Sequence, residues 1–294
     1  MKKLEDKYYQ IIKQHYPDVT QRKITVRDYG WDYQVGIVND KVFRFPRYSW
    51  VRRRLNRQIR FAEKYRNKLP LPIPCPVKHK SGEIIYTIHE FIPGDPLKPL
   101  WLQHFSQQNQ EKIAKQLGRF LHALHTIPMA PARKLGLKKI QPITSEHDSI
   151  PNFQKRLKGK VTAKQWQWIR NRLQQMQQLI RISRFKPVVV HRDIAPQHVL
   201  MDRKKQQLTG IIDFGDLGLG DPALDFFRLD LYPDEFVEQV IKYYDRKLDN
   251  FFHEREQAYR DLSLFFCLDH YTKRGMKHLV RKFKKQLAGR MEKL

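Results

Sequence analysis

The sequence predicts an α+β protein of two lobes, a small antiparallel sheet first and a mainly helical part after it. Short β-branched or aromatic runs separated by turn residues fill the first third of the chain, and long amphipathic helical patterns fill the rest. A break rich in proline and glycine, "PGDP" at residues 93–96, lies between the two parts. We therefore expect a small first lobe at 1–93 and a larger second lobe at 94–294.

The first lobe is predicted to contain strands, one helix and a further strand. The strand candidates are "KITVRDYG", "DYQVGIVND", "KVFRFPR" and "GEIIYTIHEF", with turns at Gly30 and at Asn39-Asp40. Residues 49–68 have helical apolar spacing and stop at "LPLPIPCP", whose prolines cannot continue a helix. The basic residues of this helix are interpreted as a solvated face: Arg53, Arg57, Arg60 and Lys64.

The second lobe is predicted to be helical around a few brief strands. Residues 106–126 and 161–183 are amphipathic, and 222–294 contain three or four further helical segments. Only the short apolar runs "PVVVH", "HVLMD" and "LTGIIDF" interrupt this pattern. They indicate short strands that hold loops rather than a second full sheet.

The composition limits the class of protein and its surroundings. Lys and Arg outnumber Asp and Glu by 57 to 30, so the formal net charge of +27 favours polyanions without naming one. There is no apolar run of about 18 residues, and the charged start differs from a signal peptide. Cys75 and Cys267 lack metal-type spacing, which is typical of reduced thiols. We expect a cytoplasmic monomer with no membrane or nucleic-acid partner.

Two short segments carry the predicted chemistry, "VVVHRDIAPQHVLMD" at 188–202 and "GIIDFGD" at 210–216. Phosphoryl transfer needs one carboxylate near the acceptor hydroxyl and separate ligands that hold a metal on the phosphate oxygens. Asp193 suits the first role as catalytic residue, and His198 with Asp213 suits the second. A carboxylate next to "VVVH" or "GII" without a function would be costly to bury.

Together with the later "GDPALDFF", these segments resemble the aminoglycoside phosphotransferase family, in particular its 2″-aminoglycoside and macrolide branch. The family's usual form is His-Gly-Asp-x-x-x-x-Asn, then Ile-Asp-Phe-Gly/Trp, then Gly-Asp-Pro-x-x-Asp. The resemblance covers roughly residues 20 to 275 and implies a two-lobed protein-kinase-like fold. A protein kinase is the weaker alternative, because neither Gly-x-Gly-x-x-Gly nor Ala-Pro-Glu is present.

The resemblance also implies a nucleotide site that takes ATP or GTP with Mg²⁺, or with Mn²⁺ as an alternative. The loop "YGWDYQVGIVNDKVFRFPR" matches the family's nucleotide loop and following strand. Arg44 stands where the phosphate-holding Lys would be, with an edge-strand surface cation as the other interpretation. The residues expected to bind nucleotide are Gly30, Trp31, Asp32, Arg44, Glu90 and Ile92.

Three positions depart from the family's commonest pattern. Arg192 replaces a small residue and could meet phosphate or a neighbouring carboxylate. His198 replaces Asn, as it tends to in the 2″-aminoglycoside and macrolide branch, and could bind the metal through water or favour manganese. Gln58 replaces the helix Glu, so the usual ion pair with the phosphate-holding side chain becomes a hydrogen bond.

The remaining motif residues are interpreted as structural, and a set of acidic residues as acceptor-binding. His191 is expected to hold the loop, and Asp221 and Asp225 to anchor helices. An acceptor with several positively charged amines would be bound by carboxylates near Asp193. The residues expected to supply them are Asp216, Asp230, Glu235 and Asp269.

We therefore predict a kinase that transfers the γ-phosphate of ATP or GTP to a hydroxyl of an aminoglycoside-like antibiotic and so confers resistance. The same machinery could serve a macrolide, choline, a sugar or a protein. A basic or apolar wall beside Asp193 would favour a macrolide or an anionic acceptor. Gln58 and the +27 charge keep a third hypothesis open, a weakly active nucleotide-binding or nucleic-acid-associated module.

Overall fold

The computed structural model describes residues 3–27, 32–140, 154–155 and 157–292. Its strands are β1 (Thr25–Arg27), β2 (Tyr33–Val38), β3 (Lys41–Pro46), β4 (Val77–Ser81), β5 (Ile84–Glu90), β6 (Asp95–Pro96), β7 (Val188–Val190), β8 (Val199–Asp202), β9 (Gln207–Ile211) and β10 (Gly218–Gly220). Its helices are α1 (Asp6–His15), α2 (Ser49–Tyr65), α3 (Pro99–Leu102), α4 (Gln107–His125), α5 (Met129–Lys134), α6 (Ala163–Ile182), α7 (Ala223–Phe226), α8 (Asp234–Lys242), α9 (Phe252–Lys273) and α10 (Lys277–Glu292). Together they confirm the predicted two-lobed α+β fold.

The first lobe is built on a five-stranded antiparallel sheet in the order β1-β2-β3-β5-β4. Strands β2 and β3 form a hairpin in which Val38 pairs with Lys41. Asn39 in its turn has φ of 53°, a left-handed conformation that Asn tolerates better than most residues. The predicted turn is confirmed, and β3 is a central strand rather than an edge.

One face of the sheet is covered by α1, a helix that was not predicted. Ile11 and Ile12 are buried in the same cluster as Phe43 and Phe45 of β3, and the ring of Tyr8 stacks on Phe45 with centroids 4.2 Å apart. The apolar residues 8, 11 and 12 do have the spacing of one helix face. The charged residues between and around them make this helical pattern hard to recognise in the sequence.

Helix α2 joins the sheet to the second lobe. Its apolar face buries Val51, Leu55 and Phe61, and the helix gives way to a 3₁₀ turn at Arg66–Lys68 before the prolines, as predicted. Arg53 and Lys64 are exposed. Arg57 was predicted to lie on the same solvated face. Its side chain instead turns inward and donates to the Gly215 carbonyl oxygen at 3.2 Å.

The chain enters the second lobe through residues 91–94 and then adds β6 to β8. Gly94 is required there, because it has φ of 139° and an added Cβ would lie 2.4 Å from Thr209 Oγ1. The small sheets β6-β8-β9 and β7-β10 carry the catalytic segments at their ends. They confirm the short strands predicted around residues 187–214.

Helices pack around these strands to form the large core. Helix α4 lies against α8 and β9, and α9 lies against α6 and α10. Arg255 of α9 is fully buried and donates to Asp221 Oδ2 at 2.6 Å and to Asp249 Oδ1 at 2.6 Å. This ion-pair network ties α9 to the segment before α7. Across the described ranges, the structure contains no helix long and apolar enough to cross a membrane.

Close packing of α4 on α8 makes Gly118 a testable position. A Cβ on Gly118 would lie 2.5 Å from the Val240 carbonyl oxygen, so Gly118→Ala should lower the free energy of unfolding by about 1–3 kcal/mol despite the better helix propensity of Ala. Gly289→Ala in α10 is the matched control, because nothing lies within 4 Å of its added Cβ. Denaturant unfolding measures both. Equal shifts in the two variants would contradict this account.

Candidate active site

The loop that carries Asp193 is held from below by one buried carboxylate. Asp225 accepts from the backbone N–H of His191 at 2.8 Å and of Arg192 at 2.5 Å, and His125 Nε2 lies 2.9 Å from it. Arg192 has φ of 74°, a left-handed conformation that glycine adopts with the least steric cost. This backbone geometry explains why a small residue is commonest there, and the bonds from Asp225 hold it in this chain.

His191 is a structural residue in this loop, as expected. It is fully buried, its Nδ1 accepts from the Asp193 N–H at 3.2 Å, and its Nε2 donates to the Ile212 carbonyl oxygen at 3.1 Å. Burial lowers the pKa of His191, so the ring is neutral at neutral pH. It ties the loop of Asp193 directly to the residue before Asp213.

Asp193 lies between the imidazole of His198 and the guanidinium of Arg228. Its Oδ2 is 3.2 Å from His198 Nδ1 and its Oδ1 is 3.4 Å from Arg228 Nε. Burial acts to raise the pKa of Asp193, but the hydrogen bond and charge of His198 together with Arg228 outweigh it and hold the pKa below its usual range. Asp193 is therefore ionised at neutral pH and can accept a hydrogen bond from a hydroxyl.

The predicted metal ligands face each other. Asp213 has φ of 67° and ψ of 65°, with the Gly215 N–H 3.4 Å from its Oδ1, and its Oδ2 lies 3.6 Å from His198 Nε2. Because Asp193 oxygens only accept, His198 Nδ1 must carry a proton, and in the neutral ring Nε2 offers its lone pair towards Asp213.

Two protein ligands fit a magnesium ion whose other ligands are phosphate and water. The described part of the chain holds no group of three or more His, Cys, Asp or Glu side chains that could bind a metal alone. The ion would therefore be held by His198, Asp213 and the nucleotide together. Asp193 and Asp213 raise the pKa of His198 against the effect of its burial.

Arg44 occupies the place expected of a phosphate-holding cation. It is buried on the central strand β3, which rules out the surface-cation interpretation. Its guanidinium lies 3.8 Å from the centroid of the Tyr33 ring, its Nη2 is 3.8 Å from Asp213 Oδ1, and its Nη1 is 3.5 Å from Gln58 Oε1. The contact with Gln58 is the weak hydrogen bond predicted in place of an ion pair.

The nucleotide loop is only partly described, since Gly30 and Trp31 lie outside the described residues. Asp32 follows them, and a Cβ on Gly215 would lie 3.8 Å from its Oδ2. Burial, followed by the charges of Asp216 and Asp213, raises the pKa of Asp32 to about 6. Its side chain thus reaches the Asp-Phe-Gly turn, a placement that the sequence did not predict.

Between the lobes, several backbone groups that could meet a purine already have partners. The Glu90 carbonyl oxygen pairs with His89 Nδ1 at 2.8 Å, and the Phe91 N–H donates to the Asp40 carbonyl oxygen at 2.6 Å. The Glu90 side chain forms an ion pair with Lys41. Ile92 packs against Gly210, where an added Cβ would meet its Cγ2 at 2.7 Å.

A contact between α2 and the Asp-Phe-Gly turn was not predicted from the sequence. Arg54 Nη1 donates to Asp216 Oδ1 at 2.7 Å, next to the bond from Arg57 to Gly215. Asp216 was expected to bind the acceptor, but its carboxylate is paired with the first lobe. Helix α2 is thus linked to the Asp-Phe-Gly turn by arginines 162 and 158 residues away in sequence.

The other three carboxylates expected to bind the acceptor occupy different places. Asp230 Oδ2 lies 3.4 Å from Arg260 Nε, Asp269 Oδ2 lies 2.9 Å from Lys273 Nζ, and Glu235 is exposed in the first turn of α8. Their role in acceptor binding stays a prediction.

A five-stranded sheet above a helical lobe, with Asp193 and Asp213 at their junction, defines a protein-kinase-like phosphotransferase. A model of the phosphotransferase enzyme family matches residues 28–262, and the chain belongs to this family. This membership confirms the predicted class of enzyme, a phosphotransferase with an alcohol group as acceptor.

Several solved structures share the fold of this chain. An APH(2″) enzyme in complex with GDP and kanamycin has a TM-score of 0.84 and 21% identity, with 97% of this chain and 98% of that chain covered. The GDP complex of an aminoglycoside 2′-phosphotransferase gives 0.82 and 21%, covering 96% and 97%. The macrolide 2′-phosphotransferase MphH of Brachybacterium faecium gives 0.68 and 16%, covering 96% and 98%.

Replacing His198 tests the metal assignment. His198→Asn should raise the ratio of the magnesium-supported rate to the manganese-supported rate, because magnesium demands oxygen ligands more strictly than manganese, which accepts an imidazole more readily. Steady-state rates with each metal measure it. Asp213→Asn serves as the positive control and should weaken nucleotide binding with either metal. An unchanged ratio in His198→Asn would place His198 away from the ion.

Exchanging the charges of Arg54 and Asp216 tests the link between α2 and the Asp-Phe-Gly turn. Arg54→Glu should lower the transfer rate by about two- to fivefold, the usual effect of an exposed ion pair, because like charges would separate the turn from α2. The double variant with Asp216→Arg should recover most of the loss. If the double variant is no better than Arg54→Glu alone, the pair does not position the turn.

Proposed function

We propose that this protein transfers the γ-phosphate of ATP or GTP to a hydroxyl of a small, antibiotic-sized molecule. The observation that supports this most directly is the chain of contacts Asp193, His198 and Asp213, with Nδ1 of the histidine on one carboxylate and Nε2 facing the other. It sets an acceptor-side carboxylate and a metal-side carboxylate on either side of a single ring. Phosphoryl transfer needs this separation of roles.

In the proposed reaction, Asp193 orients the acceptor hydroxyl and receives its proton. The hydroxyl oxygen forms a bond to the γ-phosphorus as the bond to the β–γ bridging oxygen breaks, and the nucleoside diphosphate leaves with that electron pair. A carboxylate with a lowered pKa is a weak base before the reaction, so its main contribution is orientation, and the proton moves late.

Charge on the phosphate side would be balanced by this chain's own residues and by a metal ion. Arg44 beside Asp213 is positioned to bind a phosphate oxygen, and a guanidinium does so with two donors in one plane. A divalent ion held by His198 and Asp213 would neutralise charge on the transferring group. Arg44 lacks the carboxylate partner that a glutamate at residue 58 would provide, so Tyr33 and Gln58 must orient it.

An aminoglycoside-like antibiotic is the first acceptor to test, because similar structures contain kanamycin, gentamicin and streptomycin. Phosphorylating such a compound would confer resistance to it. A macrolide is the second, since macrolide 2′-phosphotransferases share the fold over nearly the whole chain. The acceptor-side contacts of this chain bear on the choice and are treated in the next subsection.

The decisive residue for this proposal is Asp193. Asp193→Asn should reduce turnover at least about 100-fold, because the amide cannot take the proton, while nucleotide affinity changes little. Rates of nucleoside diphosphate formation and calorimetric nucleotide binding separate the two effects. Asp18→Asn, an exposed position in the first lobe, is the charge-matched control. Turnover of Asp193→Asn within a few-fold of wild type would remove Asp193 from the mechanism.

A further inference from the structure

A cationic side chain lies against the carboxylate of Asp193. Arg228 lies on the 3₁₀ turn Phe227–Leu231, directly after α7. Its Nε is 3.4 Å from Asp193 Oδ1, and neither of these two buried atoms has a hydrogen-bond partner. The Arg228 side chain is nevertheless 34% exposed, so part of it is open to solvent and to a bound molecule.

The contact leaves Arg228 with unused donors. A guanidinium carries five N–H donors in a fixed plane, and the contacts of Arg228 in the structure are the carboxylate of Asp193 and the ring of Phe227, 5.1 Å from its guanidinium carbon. With Nε directed at Asp193, the terminal nitrogens can bind another oxygen anion in two-pronged geometry.

The neighbouring carboxylates are engaged mainly by another arginine. Asp230 lies 3.4 Å from Arg260, which is shared with Glu256, and Asp230 also lies within the electrostatic reach of Arg228. A positively charged acceptor group brought to Asp193 would therefore meet Arg228 at short range, in a part-buried setting where screening by salt is weak. An anionic group would instead meet an available guanidinium.

We propose that Arg228 selects the acceptor, and that the substrate carries a carboxylate or phosphate group close to the hydroxyl that is phosphorylated. This inference rests on the proposed phosphotransfer and changes only its acceptor class. When the anionic group binds the terminal nitrogens of Arg228, the guanidinium moves away from Asp193, and Oδ1 becomes accessible to the hydroxyl. An acceptor without an anionic group leaves Oδ1 covered.

A sugar series that differs in charge and keeps the pyranose ring tests the proposal. The probes are glucosamine, glucose and glucuronate, which carry charges of about +1, 0 and −1 at neutral pH, with kanamycin as a polycation. Binding to the protein loaded with magnesium and a non-hydrolysable ATP or GTP analogue is measured by calorimetry. The wild type should prefer glucuronate to glucose and glucose to glucosamine.

The variant Arg228→Glu should invert this order. Its affinity for glucuronate should fall and its affinity for kanamycin should rise, each by at least about tenfold, the scale expected for reversing a close charge. Arg119→Glu is the matched control, because Arg119 is exposed on α4 and its replacement changes the net charge equally. Equal affinity ratios in the two variants, or a wild-type preference for kanamycin over glucuronate, would overturn the proposal.

Nucleotide hydrolysis without acceptor, in which water replaces the hydroxyl, is measured in parallel. Failure of the wild type to bind the magnesium-nucleotide analogue would argue against the proposed phosphotransfer itself, whereas the charge series addresses Arg228 alone. Arg228→Gln adds a second readout. A fall in kcat of the same size for every acceptor and for water would assign Arg228 to the transferring phosphoryl group and overturn its role in acceptor choice. A change confined to the KM for glucuronate supports the proposal.

Discussion

The active site depends on one constraint, the burial of the Asp225 carboxylate beneath the catalytic loop. A carboxylate that is fully buried must have its lone pairs satisfied, and here the backbone of His191 and Arg192 and the ring of His125 satisfy them. These bonds fix the left-handed residue before Asp193. The direction of the Asp193 side chain follows from that backbone, so a carboxylate that never meets substrate sets the geometry of the one expected to do so.

Two histidines connect this loop to the segment that carries Asp213, the predicted metal ligand. His191 reaches the carbonyl oxygen of Ile212, and His198 lies between Asp193 and Asp213. The two carboxylates are therefore held at a defined separation without touching each other. His191 is hydrogen-bonded at both ring nitrogens and His198 is held at Nδ1, so these contacts fix the position of the Asp193 loop relative to the segment that carries Asp213.

The fold and the catalytic motif could be predicted from the sequence, because both are encoded locally. Strand patterns, the proline stop after α2, and the spacing of Asp193, His198 and Asp213 concern residues close in the chain. Arg228 and Arg54 could not be predicted, since their partners lie 35 and 162 residues away and a sequence pattern indicates which face is buried rather than which side chain meets it. The nucleotide-loop roles of Gly30 and Trp31 remain predictions.

The net charge of +27 matters for the site only through the individual basic side chains that lie near it. Charges farther from the acceptor than the Debye length of about 8 Å at physiological salt are largely screened, so the total charge does not decide the field in the site. Among the basic side chains near the site, Arg54 lies beside Asp216 and Arg260 beside Asp230. Arg228 differs because its acidic neighbour is the catalytic carboxylate itself. In the proposed mechanism the phosphotransfer rests on Asp193, His198 and Asp213, whereas the choice of acceptor depends on what can displace Arg228.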